Sequence, residues 1–176
     1  LTETSTGVLT DVETICKELA NTDAISVVDA ISALGAERCL SDEWKIDMVV
    51  AGSQKALMLP PGLAFCSVGP RAKALIATSK CPKYYLSFGK ALKALEKDDT
   101  PFTPGVSHIR ALCVATQMIR DEGIENVWAR HARLGRALRE AAVAMGLRVF
   151  AESPSNVVTA IRVPEGIDGE KITKIL

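Results

Sequence analysis

Net charge is the first thing this sequence lacks: its 21 basic and 21 acidic residues cancel. With no basic excess to neutralise a phosphate backbone, a nucleic-acid partner is not expected. Histidine is scarce too. His108 and His131 are the only two, they stand far apart, and no CxxC pair occurs among the five cysteines. No metal centre is therefore expected. The odd, scattered set Cys16, Cys39, Cys66, Cys81 and Cys113 reads as reduced thiols buried as small hydrophobes, not as a disulfide framework. No apolar run approaches the ~20 residues of a membrane-spanning helix, and no charged-then-apolar leader opens the chain. We expect a cytoplasmic chain with no membrane partner. Internal repeats, low-complexity stretches and an initiating methionine are also missing. The chain starts at Leu1 and closes on the helical pattern Ile172-Thr173-Lys174-Ile175-Leu176 with no stop signal. It reads as an internal piece of a longer protein.

What is present suits a packed α/β layer. Hydrophobic residues make up 48% of the 176 and charged residues 24%, enough for a core and against disorder. Helical spacing from Asp11 to Ala20, with Thr10 as N-cap, precedes a short β-branched run ending Val27-Val28-Asp29. A second run, Ile46 to Ala51, leads into Gly52-Ser53-Gln54-Lys55, and a third, Leu63 to Val68, follows Pro60-Pro61-Gly62. Such strands, separated by connecting segments, favour a layered α/β sheet. The short gap between the second and third leaves that pair open to either direction. Helices are expected over Arg71–Thr78 and Lys90–Glu96, and from Val106 up to Gly123. A longer one runs from Ile124 to about Met145, with Val127, Trp128, His131, Leu134, Leu138 and Ala142 on one face. Its arginines, Arg130, Arg133, Arg136 and Arg139, read as a solvated surface. Gly146 suits a C-terminal cap. Two strands, Leu147–Phe150 and Val157–Val163, and a helix capped by Asp168 complete the pattern, and a domain boundary is placed near residue 120.

Lys55 and Asp29 are the residues that chemistry singles out. Lys55 follows a buried-type strand and precedes the apolar Ala56-Leu57-Met58-Leu59. Desolvation there would free its amine as a nucleophile or base, whereas a lysine reaching from a loop to water is the plainer alternative. Asp29 ends another apolar run. Ligands collect beyond the carboxyl ends of parallel strands, so neighbouring parallel strands would bring this carboxylate and this amine to one crevice. Those are the groups pyridoxal chemistry uses, a Schiff-base amine and a carboxylate for the ring nitrogen. A helix N-cap is the structural alternative for Asp29.

Several ordered motifs then resemble one family. Gly52-Ser53-Gln54-Lys55-Ala56-Leu57 with Pro60-Pro61-Gly62 is similar to the cofactor-lysine segment of class V aminotransferases of the alanine–glyoxylate / serine–pyruvate type. Glu3-Thr4-Ser5-Thr6-Gly7 and Val28-Asp29-Ala30 with Ser32-Leu34-Gly35 resemble two further segments, and the steps from Thr4 to Asp29 and from Asp29 to Gln54 are equal. The resemblance continues through Thr103-Pro104 and covers nearly the whole chain. It implies the type I aminotransferase fold. Residues up to about 120 would form part of a three-layer αβα large domain with a mostly parallel sheet, and 121–176 the start of a small α+β domain. It also implies pyridoxal 5′-phosphate (PLP) as cofactor, with Lys55 as its Schiff-base and proton-shuttling residue and Asp29 on the ring nitrogen. Thr4 would lie near the phenolic oxygen and Gln54 at the phosphate. Thr103, with Thr100 beside it, would reach the phosphate of a neighbouring subunit in a homodimer. Turn chemistry beside Pro101 and Pro104 is the alternative for both threonines. The implied reaction passes an amino group from a small amino acid to a small 2-oxo acid. A cysteine desulfurase or lyase of the same fold is the nearest alternative, although such enzymes usually carry histidine where this chain has Gln54. A non-catalytic α/β binding protein is a more distant one. The family's ring-stacking aromatic would lie upstream of Leu1 and its substrate-carboxylate arginine downstream of Leu176. Arg162 is read as structural.

Overall fold

A computed structural model describes residues 1–175; the last position of the expected final helix, Leu176, lies outside the described residues. Two short strands, β1 (Thr2–Glu3) and β2 (Val8–Leu9), pair antiparallel around a turn at Gly7. Helix α1 (Val12–Leu19) follows. Its cap is Asp11, not Thr10 as the sequence suggested, because the Asp11 carboxylate accepts the Thr14 N–H at 3.1 Å. Val12 and Cys16, one turn apart, are the residues it buries.

The central sheet holds β3 (Val27–Asp29), β4 (Met48–Gly52) and β5 (Ala64–Val68) in that order. β3 and β4 run parallel, with Val28 opposite Val49 and Asp29 opposite Val50. β5 returns antiparallel along β4, which settles the pair left open by the short gap. Within this chain the sheet is therefore mixed, one parallel and one antiparallel pairing, where a mostly parallel sheet was expected. Val28 and Val49 point into a core completed by Val12, Cys16, Ala30, Trp44 and Ile46. Each of the aliphatic side chains Val12, Val28, Val49 and Ile46 contributes roughly 1.5–3 kcal/mol by leaving water. A buried polar clamp sets the parallel register. The Asp47 carboxylate accepts the Ser26 N–H at 2.9 Å, and the Asp47 N–H returns to the Ser26 hydroxyl at 2.9 Å.

Helices α2 (Pro70–Thr78) and α3 (Phe88–Leu95) precede two long ones, α4 (Val106–Glu122) and α5 (Ile124–Ala144), which are separated by Gly123. The α5 stripe differs from the expected one. Leu134 and Leu138 are 56% and 54% exposed, and Val127, Gly135 and Ala142 carry the buried face. Nor are the α5 arginines uniformly solvated. Arg130 pairs with Glu122 at 2.7 Å, and Arg139 turns inward to the Ser155 carbonyl. Gly146 ends this region with φ +79, as expected of a cap.

Strands β6 (Arg148–Val149) and β7 (Ile161–Arg162) pair antiparallel, and α6 (Gly169–Ile175) is capped by Asp168. Arg162 lies over the Phe150 ring. Of the five cysteines only Cys16 is buried; Cys81 and Cys113 are exposed, against the expectation of burial, because both sit on surfaces this chain leaves uncovered. Among the described residues no helix is long and apolar enough to cross a membrane.

Candidate functional site

Lys55 sits in a loop whose shape is set by its buried neighbour Ser53. The Ser53 side chain, 0% exposed, donates to the Pro60 carbonyl at 2.8 Å and accepts the Leu63 N–H at 3.1 Å. Its main chain exchanges bonds with the Leu63 carbonyl and the Leu59 N–H, and the Met58 N–H closes a turn onto the Lys55 carbonyl. Five contacts on so short a span leave the loop little freedom. His108, from α4, braces it through Nε2 against the Pro61 carbonyl at 3.1 Å.

Lys55 itself is exposed on an open cleft of about 310 Å³. The cleft is lined by Thr4, Ser32, Lys55 and Ala56 from the first part of the chain and by His131, Asn156, Val157 and Val158 from the second. The Thr4 and Ser32 hydroxyls meet at 2.8 Å, which ties the β1–β2 turn to the segment after β3. His131 is half-buried. Burial lowers its basicity from the ordinary value of 6.5, the neighbouring Arg130 lowers it further, and Glu122 and Glu37 oppose the change.

Asp29 does not line this cleft. It stands beside it, at the end of β3, on the sheet face it shares with its partner Val50. That face continues through Ile31 and Gly52 to Gln54: a Cβ placed on Gly52 would meet Gln54 Oε1 at 2.8 Å and Ile31 Cγ2 at 3.5 Å. The Asp29 carboxylate turns back to accept the Ile31 N–H at 2.9 Å. Among the described residues its other oxygen has no partner. The single crevice expected from sequence is thus a cleft at Lys55 adjoined by the β3–β4 face, because among the described residues nothing encloses Asp29. The Asp29 carboxylate bonds the Ile31 N–H, and the next residue, Ser32, lines the cleft with Thr4 and Lys55. Thr100 and Thr103 stand apart, exposed in the turn before α4, with the Thr100 hydroxyl donating to the Phe102 carbonyl at 2.7 Å.

Ser32, His131, Asn156, Val157 and Val158 were not among the site residues expected from sequence. Only the fold brings the last four to Lys55, and no local pattern announces it.

The family model described as Aminotransferase class-V matches residues 1–176. The chain belongs to the class-V aminotransferases. Among curated relatives, it is 43% identical over 177 residues to the soluble hydrogenase small subunit of a Synechococcus strain, covering 99% of this chain and 46% of that one. It is 38% identical over 175 residues to the L-aspartate–glyoxylate aminotransferase of Paracoccus denitrificans, covering 97% of this chain and 44% of the relative. Among solved structures, the ureidoglycine–glyoxylate aminotransferase of Bacillus subtilis superposes with a TM-score of 0.90 at 31% identity, covering 99% of this chain and 46% of that one. The chain therefore spans somewhat under half the length of these relatives. The class-V fold in hand is part of the type I aminotransferase fold, and the family uses PLP.

The residues present fit that cofactor. A primary amine, a carboxylate with one free oxygen and a pair of hydroxyls lie around and beside a cleft at the small end of the roughly 300–1,000 Å³ range of organic-ligand pockets. A metal is not matched in the same way: among the described residues no three of His, Cys, Asp and Glu stand close enough together to hold one.

Proposed function

We propose that the full-length protein is a PLP-dependent aminotransferase. In this reading it passes an amino group from a small amino acid of the alanine or serine type to a small 2-oxo acid such as glyoxylate or pyruvate. The observation that carries the reading is the braced Lys55 loop, which presents a single primary amine to a cleft beside the free oxygen of Asp29, in a chain of this family. Relatives named for glyoxylate as acceptor support the choice of oxo acid. The name of the hydrogenase relative has no counterpart in the donor set here.

When bound, the cofactor supplies an aldehyde for the amine to hold and a protonated ring that draws electrons from the substrate α-carbon. Lys55 Nζ would hold the cofactor through its aldehyde carbon and, once displaced by the substrate amine, would take up and return the substrate α-proton. The Asp29 carboxylate keeps the ring nitrogen protonated. Thr4, paired with Ser32, would donate to the ring oxygen, and Gln54 would contact the phosphate. Thr103 and Thr100 serve the phosphate of a second subunit. The exposed Tyr84, Tyr85 and Leu86 beside that turn support a homodimer, since apolar surface of this kind is commonly covered. The reading carries with it a large domain to about residue 120, a small domain beyond it, and a cytoplasmic location supported by cysteines that are all free.

The test is a screen of the PLP-loaded full-length protein with alanine, serine or aspartate as donor and glyoxylate or pyruvate as acceptor. Formation of glycine or alanine at the donor's expense is expected. No transfer from any donor, or sulfur release from cysteine, overturns the reading.

A further inference from the structure

The wall of the cleft that faces Lys55 hangs on a buried carboxylate. Glu37 is 6% exposed and comes from the loop after β3, far from the wall in sequence. It accepts the Ser155 hydroxyl at 3.0 Å, the Asn156 side-chain amide at 3.2 Å and the Asn156 main-chain N–H. Arg139 grips the same two residues from α5, donating to the Ser155 carbonyl at 3.0 Å and to Asn156 Oδ1 at 3.3 Å. Chemistry fixes every orientation here. A carboxylate only accepts and a guanidinium only donates, so the Asn156 amide has one way to lie. Ser155 has one hydroxyl proton, given to Glu37, so the Thr2 hydroxyl must be the donor in its 3.0 Å contact with Ser155. The Ser155 N–H goes to the Gly7 carbonyl at 2.8 Å. Residues 155–158 are thus held as a strap, and Asn156, Val157 and Val158 are the part of it that lines the cleft.

We propose that Glu37 is a positioning residue that sets the substrate-facing wall of the Lys55 cleft. The groups assigned to the cofactor (Lys55, Asp29, Thr4 and Gln54) all belong to the side built on β3, β4 and the β1–β2 turn. The strap stands opposite, with one amide and two branched apolar side chains. Its place governs the room left for the amino donor. Glu37 touches no reacting atom; it acts through its hydrogen bonds to the strap and, through its charge, on His131.

The inference rests on the aminotransferase reading, and the experiment separates the two. Full-length wild type, Glu37→Gln and Glu37→Asp are loaded with PLP and titrated with 2-methylalanine, which has no α-proton to lose, so the absorbance change reports binding alone. Glutamine keeps the shape but turns one oxygen into a donor facing the donors of Asn156. A wall displaced by about one methylene's worth of contact weakens binding on the order of tenfold, so the 2-methylalanine Kd and the donor KM should rise about that much. PLP saturation and kcat should change far less, and Glu37→Asp should recover part of the affinity. If Glu37→Gln does not fold, Asn156→Ala, which keeps the main-chain bond to Glu37, should raise the same Kd. An unchanged Kd in a folded variant overturns the inference. So does a loss of PLP and 2-methylalanine affinity in parallel. Wild type that binds 2-methylalanine without transferring its donors' amino groups sinks the functional reading alone, and wild type that takes up no PLP sinks both.

Discussion

The Ser53 hydroxyl donates to the carbonyl oxygen of Pro60 at 2.8 Å, across the loop that carries Lys55. Ser53→Ala removes both bonds, to the Pro60 carbonyl and from the Leu63 N–H, each contributing roughly 0.5–1.5 kcal/mol at this part-buried site. The expected outcome is a denaturation midpoint lowered accordingly, with weaker PLP retention because Lys55 is no longer held. Urea titration and dialysis against cofactor-free buffer measure the two effects. An unchanged midpoint would mean that the loop is braced elsewhere.

Asp29→Ala removes the carboxylate beside the cleft without touching the core, since its side chain is exposed. Loss of a preorganised charge at a reacting ring costs about 100-fold or more in rate. We expect kcat to fall by that order while secondary structure, followed by circular dichroism, stays put. A variant with wild-type kcat would remove Asp29 from the site.

Gly7 has φ +69, and a Cβ there would lie 3.0 Å from the Val158 carbonyl oxygen and 3.1 Å from the Ala160 nitrogen. Both contacts are backbone, so neither can swing aside. Gly7→Ala combines a left-handed side-chain penalty with overpacking, about 2 kcal/mol or more together. Its melting temperature should drop by several degrees, and donor KM should rise because Val158 is part of the strap.

His131 gives a pH signature. Burial, reinforced by Arg130, holds its folded-state basicity below the unfolded value. In the window just below pH 6.5 the unfolded chain binds the proton more readily than the folded one. The stabilisation is therefore complete above that window and is lost as pH falls through it. His131→Gln should flatten this part of the stability–pH curve, as read by urea midpoints at a series of pH values. An identical slope would show that His131 is not its source.

Sequence carried the parts of the fold that are local. The β-branched runs before Asp29 and Lys55 become the parallel pair β3–β4, and Gly123 and Gly146 stop the helices where their spacing says. Exchanging Thr10 for Asp11 as cap was a choice between adjacent residues of similar capping strength. What stayed hidden depends on contacts across the chain. Glu37 and Ser155 look like ordinary surface residues until the fold buries them against each other. Leu134 and Leu138 follow helical spacing perfectly well, but among the described residues nothing covers them. Asp29 was expected inside the Lys55 crevice and stands beside it, exposed at the end of β3.

Borohydride reduction of the PLP-loaded full-length protein, followed by peptide mapping, tests the central claim directly. The account expects one pyridoxyl group, on the peptide containing Lys55, and neither the label nor the visible absorbance band in Lys55→Ala. A label on another lysine, or a band that survives that substitution, would contradict it.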